Sequence, residues 1–125
     1  MAGVTLDTGA LIAIECGAPR LQALLDEAHA AGADLTVPAG VVAQAWRGGT
    51  GQARLARFLR LATVTVVPLD EPEARAAGAR IPAQGTADVV DASVVICARD
   101  RNHAVISSDP DDLAALDSTL RIVVL

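Results

Sequence analysis

The sequence predicts an α/β fold, a sandwich built on a parallel or mostly parallel sheet. Three observations predict it. Short runs rich in Val, Leu and Ile alternate along the chain with longer stretches of helical periodicity. The apolar runs lack the in/out alternation of half-solvated strands, as expected of strands covered on both faces. Hydrophobic residues make up 52% of the chain, yet Trp46 and Phe58 are the only aromatics. The core must therefore be built from Ala, Val, Leu and Ile, a mix that suits a buried sheet under Ala-rich helices.

The elements follow in order. Val4-Thr5-Leu6 reads as a buried first strand, and Leu11, Ile12 and Ile14 continue in a helix that Thr8 could cap. Gly17-Ala18-Pro19 breaks it. Arg20 to Ala31 is a second helix with Leu21, Leu24, Leu25 and Ala28 on one face, and Gly32 is placed to end it. Asp34 to Val37 is the second strand. Pro38 suits the first position of a helix over Ala39 to Arg47. Gly48-Gly49-Thr50-Gly51 is a loop and Gln52 to Ala62 a helix. Val64 to Val67 is the third strand, followed by a helix from Asp70 to Ile81 with acidic residues at its start. Pro82 to Thr86 is a loop. Ala87 to Asp100 is apolar nearly all round, which predicts a buried helix. His103 to Ser107 is the fourth strand, Pro110 to Leu116 a short helix, and Arg121 to Leu125 the last strand. With 125 residues the expectation is one domain spanning 1–125.

Charge and cysteine usage narrow the classes. The net charge of −5 argues against a general nucleic-acid coat, though not against a local basic strip. Cys16 and Cys97 sit in apolar helical patterns and read as buried, reduced thiols. No stretch has the pattern of a secretory signal or the length of a membrane span, so a cytoplasmic protein is expected. His29 and His103 lie in no metal-ligand spacing, and no Gly-rich phosphate loop follows a strand.

The chemistry lies in the carboxylates. Asp7 follows the first strand, Asp109 follows the fourth, and Asp88 and Asp91 sit one helical turn apart at the start of the buried helix. In an open α/β sheet the carboxyl ends of the strands share one crevice. Carboxylates gathered there repel one another unless a cation lies between them, and a hard divalent ion, Mg²⁺ or Mn²⁺, is the simplest one. Each residue also has a structural reading. Asp7 and Asp109 could be helix N-caps, and Asp88 and Asp91 could complement a helix dipole. Asp91, beside buried residues, needs either a metal or an Arg as partner. Asp111, Asp112 and Asp117 read as ordinary surface charges, with Asp112 a further candidate to orient the site. Thr8 and Ser107 could hold a water or a phosphate oxygen there, or cap locally.

Three segments occur in order: Asp7-Thr8-Gly9-Ala10-Leu11-Ile12-Ala13, Asp91-Ala92-Ser93-Val94-Val95, and Ser107-Ser108-Asp109-Pro110-Asp111-Asp112-Leu113. Together they resemble a PIN domain. Val37 to Gly48 and the length make the chain similar to the VapC toxins of type II toxin–antitoxin modules. The resemblance implies a three-layer α/β/α sandwich and a Mg²⁺- or Mn²⁺-dependent endoribonuclease. It carries the catalytic acids onto Asp7, Asp91 and Asp109, with Asp88 as a further metal ligand. In such a site metal polarises the scissile phosphate and activates a water for in-line attack. The family usually has a Glu where this chain has Gln44, which brings no negative charge, so a catalytically weak or inactive PIN-fold binding module stays open as an alternative. The resemblance also implies a homodimer and a VapB-like antitoxin whose tail lies in an apolar groove. Trp46 is a candidate anchor for it, although the ordinary place for a Trp is the core. Arg47, Arg54, Arg57 and Arg60 are candidates for RNA contact, or for a solvated face or an acidic partner segment. Arg99 and Arg101 read as complements to a helix dipole.

Two other classes fail on particular residues. A receiver-like phosphotransfer domain needs a Lys by its acidic pocket, and the chain has none. A phosphatase with a nucleophilic Asp expects a second Asp two residues on, where Gly9 stands.

Overall fold

A computed structural model describes residues 3–125. Five strands, β1 (Gly3–Leu6), β2 (Asp34–Pro38), β3 (Val64–Val67), β4 (Ala104–Ser107) and β5 (Ile122–Val124), form one sheet in the order β3-β2-β1-β4-β5. Every pairing is parallel. Seven helices connect them: α1 (Thr8–Glu15), α2 (Pro19–Ala30), α3 (Ala39–Ala45), α4 (Ala53–Leu59), α5 (Glu71–Arg80), α6 (Val89–Arg101) and α7 (Pro110–Leu116). The arrangement is the expected α/β/α sandwich. α1 packs with α2, α3 and α4, while α6 packs with α5 and α7 and runs against β1, β2 and β4.

The strand order runs outward in both directions from the β1–β4 pair. Chain direction across the sheet therefore reverses between β1 and β4, and connections leave their carboxyl ends toward opposite sides. Such a reversal leaves a crevice at that edge. Asp7 leaves β1 there and Asp109 follows β4.

Burial explains the sequence pattern. Leu6, Leu11, Val37, Val41, Val105 and Ile106 are fully buried in the main core. Each contributes on the order of 1.5–3 kcal/mol by leaving water. The middle of α6, Ala92 to Ala98, is buried without interruption because sheet, α5 and α7 cover it. Its small residues allow that: Ala92 and Ile96 pack with Ala77 of α5 in a second, smaller cluster.

The boundaries differ from expectation where side chains compete for backbone groups. Asp7, not Thr8, caps α1, accepting from the Ala10 N–H at 3.0 Å, and Thr8 begins the helix. Pro38 is not the first helical residue. It pairs with Val67 as the last residue of β2 and stands at the N-cap of α3. α3 ends at Ala45 because Trp46 is extended, and α4 starts at Ala53 after a 3-10 turn over Thr50–Gln52. Buried Gln52 explains both shifts. Its Oε1 accepts from the N–H groups of Arg47 and Gly48, and its Nε2 donates to the Ala45 carbonyl at 2.8 Å. Gly32, at φ 69°, ends α2 in the left-handed region as expected. His103 precedes β4 and is buried, its Nδ1 3.1 Å from Thr5 Oγ1.

Three readings of single residues need correcting. Cys16 is exposed, because it lies at the C-cap of α1 beside the Gly17 turn; only Cys97 is buried. Trp46 is 41% exposed rather than core, since it falls just past the buried end of α3. Asp117 is no plain surface charge: it accepts from Thr119 and pairs with Arg99 at 3.5 Å. Arg99 thus serves an ion pair rather than only the helix dipole. Among the described residues no helix is long and apolar enough to cross a membrane.

Candidate metal centre

Asp7 is placed by both ends of the chain. It is 8% exposed, with its carboxylate drawn into the first turn of α1 by the cap. Its Oδ1 holds the Ala10 N–H, and its Oδ2 accepts from Ser107 Oγ at 2.5 Å. The same Ser107 oxygen accepts the Asp109 N–H at 2.9 Å. A fully buried hydroxyl therefore ties the end of β1 to the turn after β4. Gly9 permits the approach: a Cβ there would lie 1.7 Å from Ser108 Oγ. The Asp-Thr-Gly segment needs its glycine because the Ser108 side chain fills that space.

Asp109 occupies the N-cap position of α7, yet its side chain caps nothing. Its carboxylate is exposed and accepts from no backbone N–H of the helix it precedes. Asp112, one turn on, is tied to Thr86 of the loop before α6. That contact brings the α5–α6 loop to the start of α7.

Asp88 and Asp91 form a reciprocal capping box at the start of α6. Asp88 Oδ1 accepts from the Asp91 N–H at 2.9 Å, and Asp91 Oδ2 accepts from the Asp88 N–H at 2.9 Å. The spacing of three, read from the sequence as a shared helix face, is the spacing of N-cap to N3. No Arg pairs with Asp91; among the described residues the ion pairs are Arg75–Glu71 and Arg99–Asp117. Gln44 of α3 reaches this corner as well. Its Oε1 accepts from Thr8 Oγ1 at 2.5 Å and its Nε2 donates to Asp88 Oδ2 at 3.4 Å.

The electrostatics are those of carboxylates drawn out of water, with repulsion between neighbours second. Asp91 is pushed up to about 6, first by desolvation and further by the charges of Asp88 and Asp112, against the pull of the Asp88 N–H. Burial raises Asp7 too, opposed by the hydrogen bonds from Ser107, Ala10 and Gly9. Asp109 is raised by desolvation and then by Asp112, Asp7 and Asp111. The Asp7 charge thus acts on Asp109, and the Asp112 charge acts on both Asp109 and Asp91.

The donor set is oxygen only, which fits Mg²⁺ or Mn²⁺ and not a softer metal. Among the described residues no three acidic, His or Cys side chains close into a ready-made cage. An open cluster is compatible with Mg²⁺, which keeps several of its waters and takes few protein carboxylates. Asp91 holds the Asp88 N–H through Oδ2 and keeps Oδ1 for a ligand, while each oxygen of Asp7 accepts one hydrogen bond and retains a second lone pair.

The arginines lie elsewhere. Arg47 folds back onto the Trp46 carbonyl at 2.8 Å. Arg54 and Arg57 line a groove of about 600 Å³ between α2 and α4, with Ile14, Leu21, Leu25 and Phe58 among its apolar walls. Arg60 follows at the C-cap of α4, exposed.

Fold and site together define an open parallel α/β sandwich with Asp7 and Asp109 at the carboxyl ends of β1 and β4, where the strand order reverses. A family model, that of the PIN domain, matches residues 4–118. The chain belongs to the PIN domain family. Three solved structures share its fold. It is similar to a chain of VapBC2 from Rickettsia felis bound to a DNA fragment from their promoter, with TM-score 0.66, 12% identity and 96% of each chain covered. It is similar to a chain of FitAcB from Neisseria gonorrhoeae, with TM-score 0.63, 21% identity and 95% of each chain covered. It is similar to a chain of FitAB bound to an IR36 DNA fragment, with TM-score 0.61 and 18% identity over 96% of this chain and 93% of that one. No curated protein sequence matches.

Proposed function

We propose that the protein is a metal-dependent endoribonuclease that acts as the toxin of a type II toxin–antitoxin module. The observation that carries this reading is the carboxylate cluster. In a PIN-family chain, Asp7 and Asp109 follow the adjacent strands β1 and β4, Asp88 and Asp91 start α6, and Asp112 acts on both Asp91 and Asp109, with Asp7, Asp91 and Asp109 all raised from their ordinary value, first by burial. Ionised carboxylates that are desolvated and set near one another cost stability, and a cation relieves that cost. Bound Mg²⁺ or Mn²⁺ would supply charge to the scissile phosphate and acidify a water for in-line attack.

The chain's own groups divide the work. Asp109 and Asp91 offer carboxylate oxygens to the ion, and Asp88 adds charge beside them. Asp7, locked by Ser107 and the cap of α1, fixes the geometry of the opposite wall. Ser107 and Thr8 have spent their protons on Asp7 and Gln44, so they serve as positioning groups more readily than as phosphate donors. Asp112 holds the loop before α6 in place.

The partner reading has its own support. The VapBC2 and FitAB structures to which the chain is similar are named as two-component complexes. The groove between α2 and α4 is apolar along its walls, basic at Arg54 and Arg57 on α4 and acidic at Asp26 on α2. It suits an amphipathic antitoxin segment whose acidic residues meet Arg54 and Arg57, and in that reading Arg47 and Arg60 are the arginines left for RNA. Exposed Trp46 offers an anchor for the antitoxin or for a second copy of the chain.

The test is cleavage of a panel of structured RNAs, tRNAs included, with Mg²⁺ or Mn²⁺, beside EDTA and Asp91→Asn controls. Cleavage lost in both controls supports the nuclease. Folded protein that neither cleaves RNA nor binds metal in a calorimeter overturns it in favour of the non-catalytic binding module that Gln44 motivates.

A further inference from the structure

Gln44 makes two hydrogen bonds of opposite sense, accepting from Thr8 and donating to Asp88. A carboxylate has only acceptors, so Asp88 dictates which end of the amide faces it. A Glu at position 44 would keep the Thr8 bond and turn a lone pair against Asp88. The bonds run on from Asp88 through the capping box to Asp91. One connected path therefore joins the starts of α1 and α6 through α3, and Gln44 is its only neutral side-chain amide.

We propose that Gln44 is a positioning residue that forms with Asp88 an exchangeable amide–carboxylate pair, α6 supplying the negative charge and α3 its orientation. The proposal rests on the metal-site reading above. It removes the need for a carboxylate on α3, because the pair already holds one charge at that corner and a second would oppose it.

The test uses the full chain, Mn²⁺ as the titrant in a calorimeter, and the melting temperature of the metal-free protein as a parallel readout. Asp88→Asn keeps the helix cap, since Asn caps as well as Asp, but sets amide against amide. Its Mn²⁺ affinity falls about tenfold, the usual scale for lost orienting contacts. Gln44→Ala leaves the Asp88 charge in place and still weakens Mn²⁺ several-fold, with little change in melting. The exchanged pair, Gln44→Glu with Asp88→Asn, restores one donor facing one carboxylate and returns the affinity to within about twofold of wild type, well short of additive loss. A double variant as weak as Asp88→Asn alone, or a Gln44→Ala that binds as wild type does, overturns the proposal while leaving the metal site standing. Wild-type protein that binds no Mn²⁺ overturns both.

Discussion

Ser107 shows how much one buried hydroxyl can decide. It donates to Asp7 and accepts from the Asp109 N–H, two groups from opposite ends of the chain. Ser107→Ala leaves a buried carboxylate oxygen without its donor and an N–H without its acceptor, a loss of about 2 kcal/mol or more. Urea unfolding checks it, and an unchanged midpoint would mean that water replaces the hydroxyl. Asp91 gives a pH signature. Its pKa rises from 3.8 to about 6 on folding, so the folded chain binds the proton more tightly than the unfolded one. The stability this contributes is complete below pH 3.8 and is lost as pH rises through about 6. Metal-free protein is thus expected to melt at progressively lower temperature across that window. Asp91→Asn flattens the slope, and calorimetry at pH 4, 5, 6 and 7 measures both. Asp7, Asp91 and Asp109 are legible in the sequence because each stands at an element boundary. The role of Ser107 is not, because its acceptor lies 100 residues away.

At the scale of elements, β3 and α7 have the predicted bounds, and periodicity alone places the rest to within a few residues. The misses concentrate at α3 and α4: α3 stops at Ala45 rather than Arg47, and α4 runs Ala53–Leu59 rather than Gln52 to Ala62. There Gln52 satisfies three backbone groups that the helix end leaves open. A polar residue beside a Gly-rich run carries no periodic signal of such a clamp. Gln52→Ala strands two N–H groups and one carbonyl. It is expected to cost about 2 kcal/mol and to speed amide exchange at Arg47 and Gly48. Exchange that stays slow there would show the clamp to be redundant. The start of α6 was half legible. Asp88 and Asp91 stand out as acidic, but their spacing fits a shared face and a capping box equally, and only backbone geometry separates the two.

For the whole molecule, the acidic edge couples metal binding to stability. The cluster sets like charges against each other in a chain that already carries −5. Millimolar Mg²⁺ or Mn²⁺ is therefore expected to raise the melting temperature, and EDTA to reverse the gain. Asp109→Asn blunts the response, since its carboxylate is the least committed to capping. Differential scanning fluorimetry suffices, and identical shifts in wild type and variant would place the ion elsewhere. Alternating apolar runs, few aromatics and carboxylates at strand ends determined the α/β class, the element order and the acidic residues, because local pattern and propensity are written along the chain. Tertiary structure decided the rest. Only the order β3-β2-β1-β4-β5 sets β1 beside β4, and only that adjacency turns Asp7 and Asp109 into neighbours. Strand order is selected by how the helices cover both faces of the sheet, a packing of residues far apart in sequence that no local window contains.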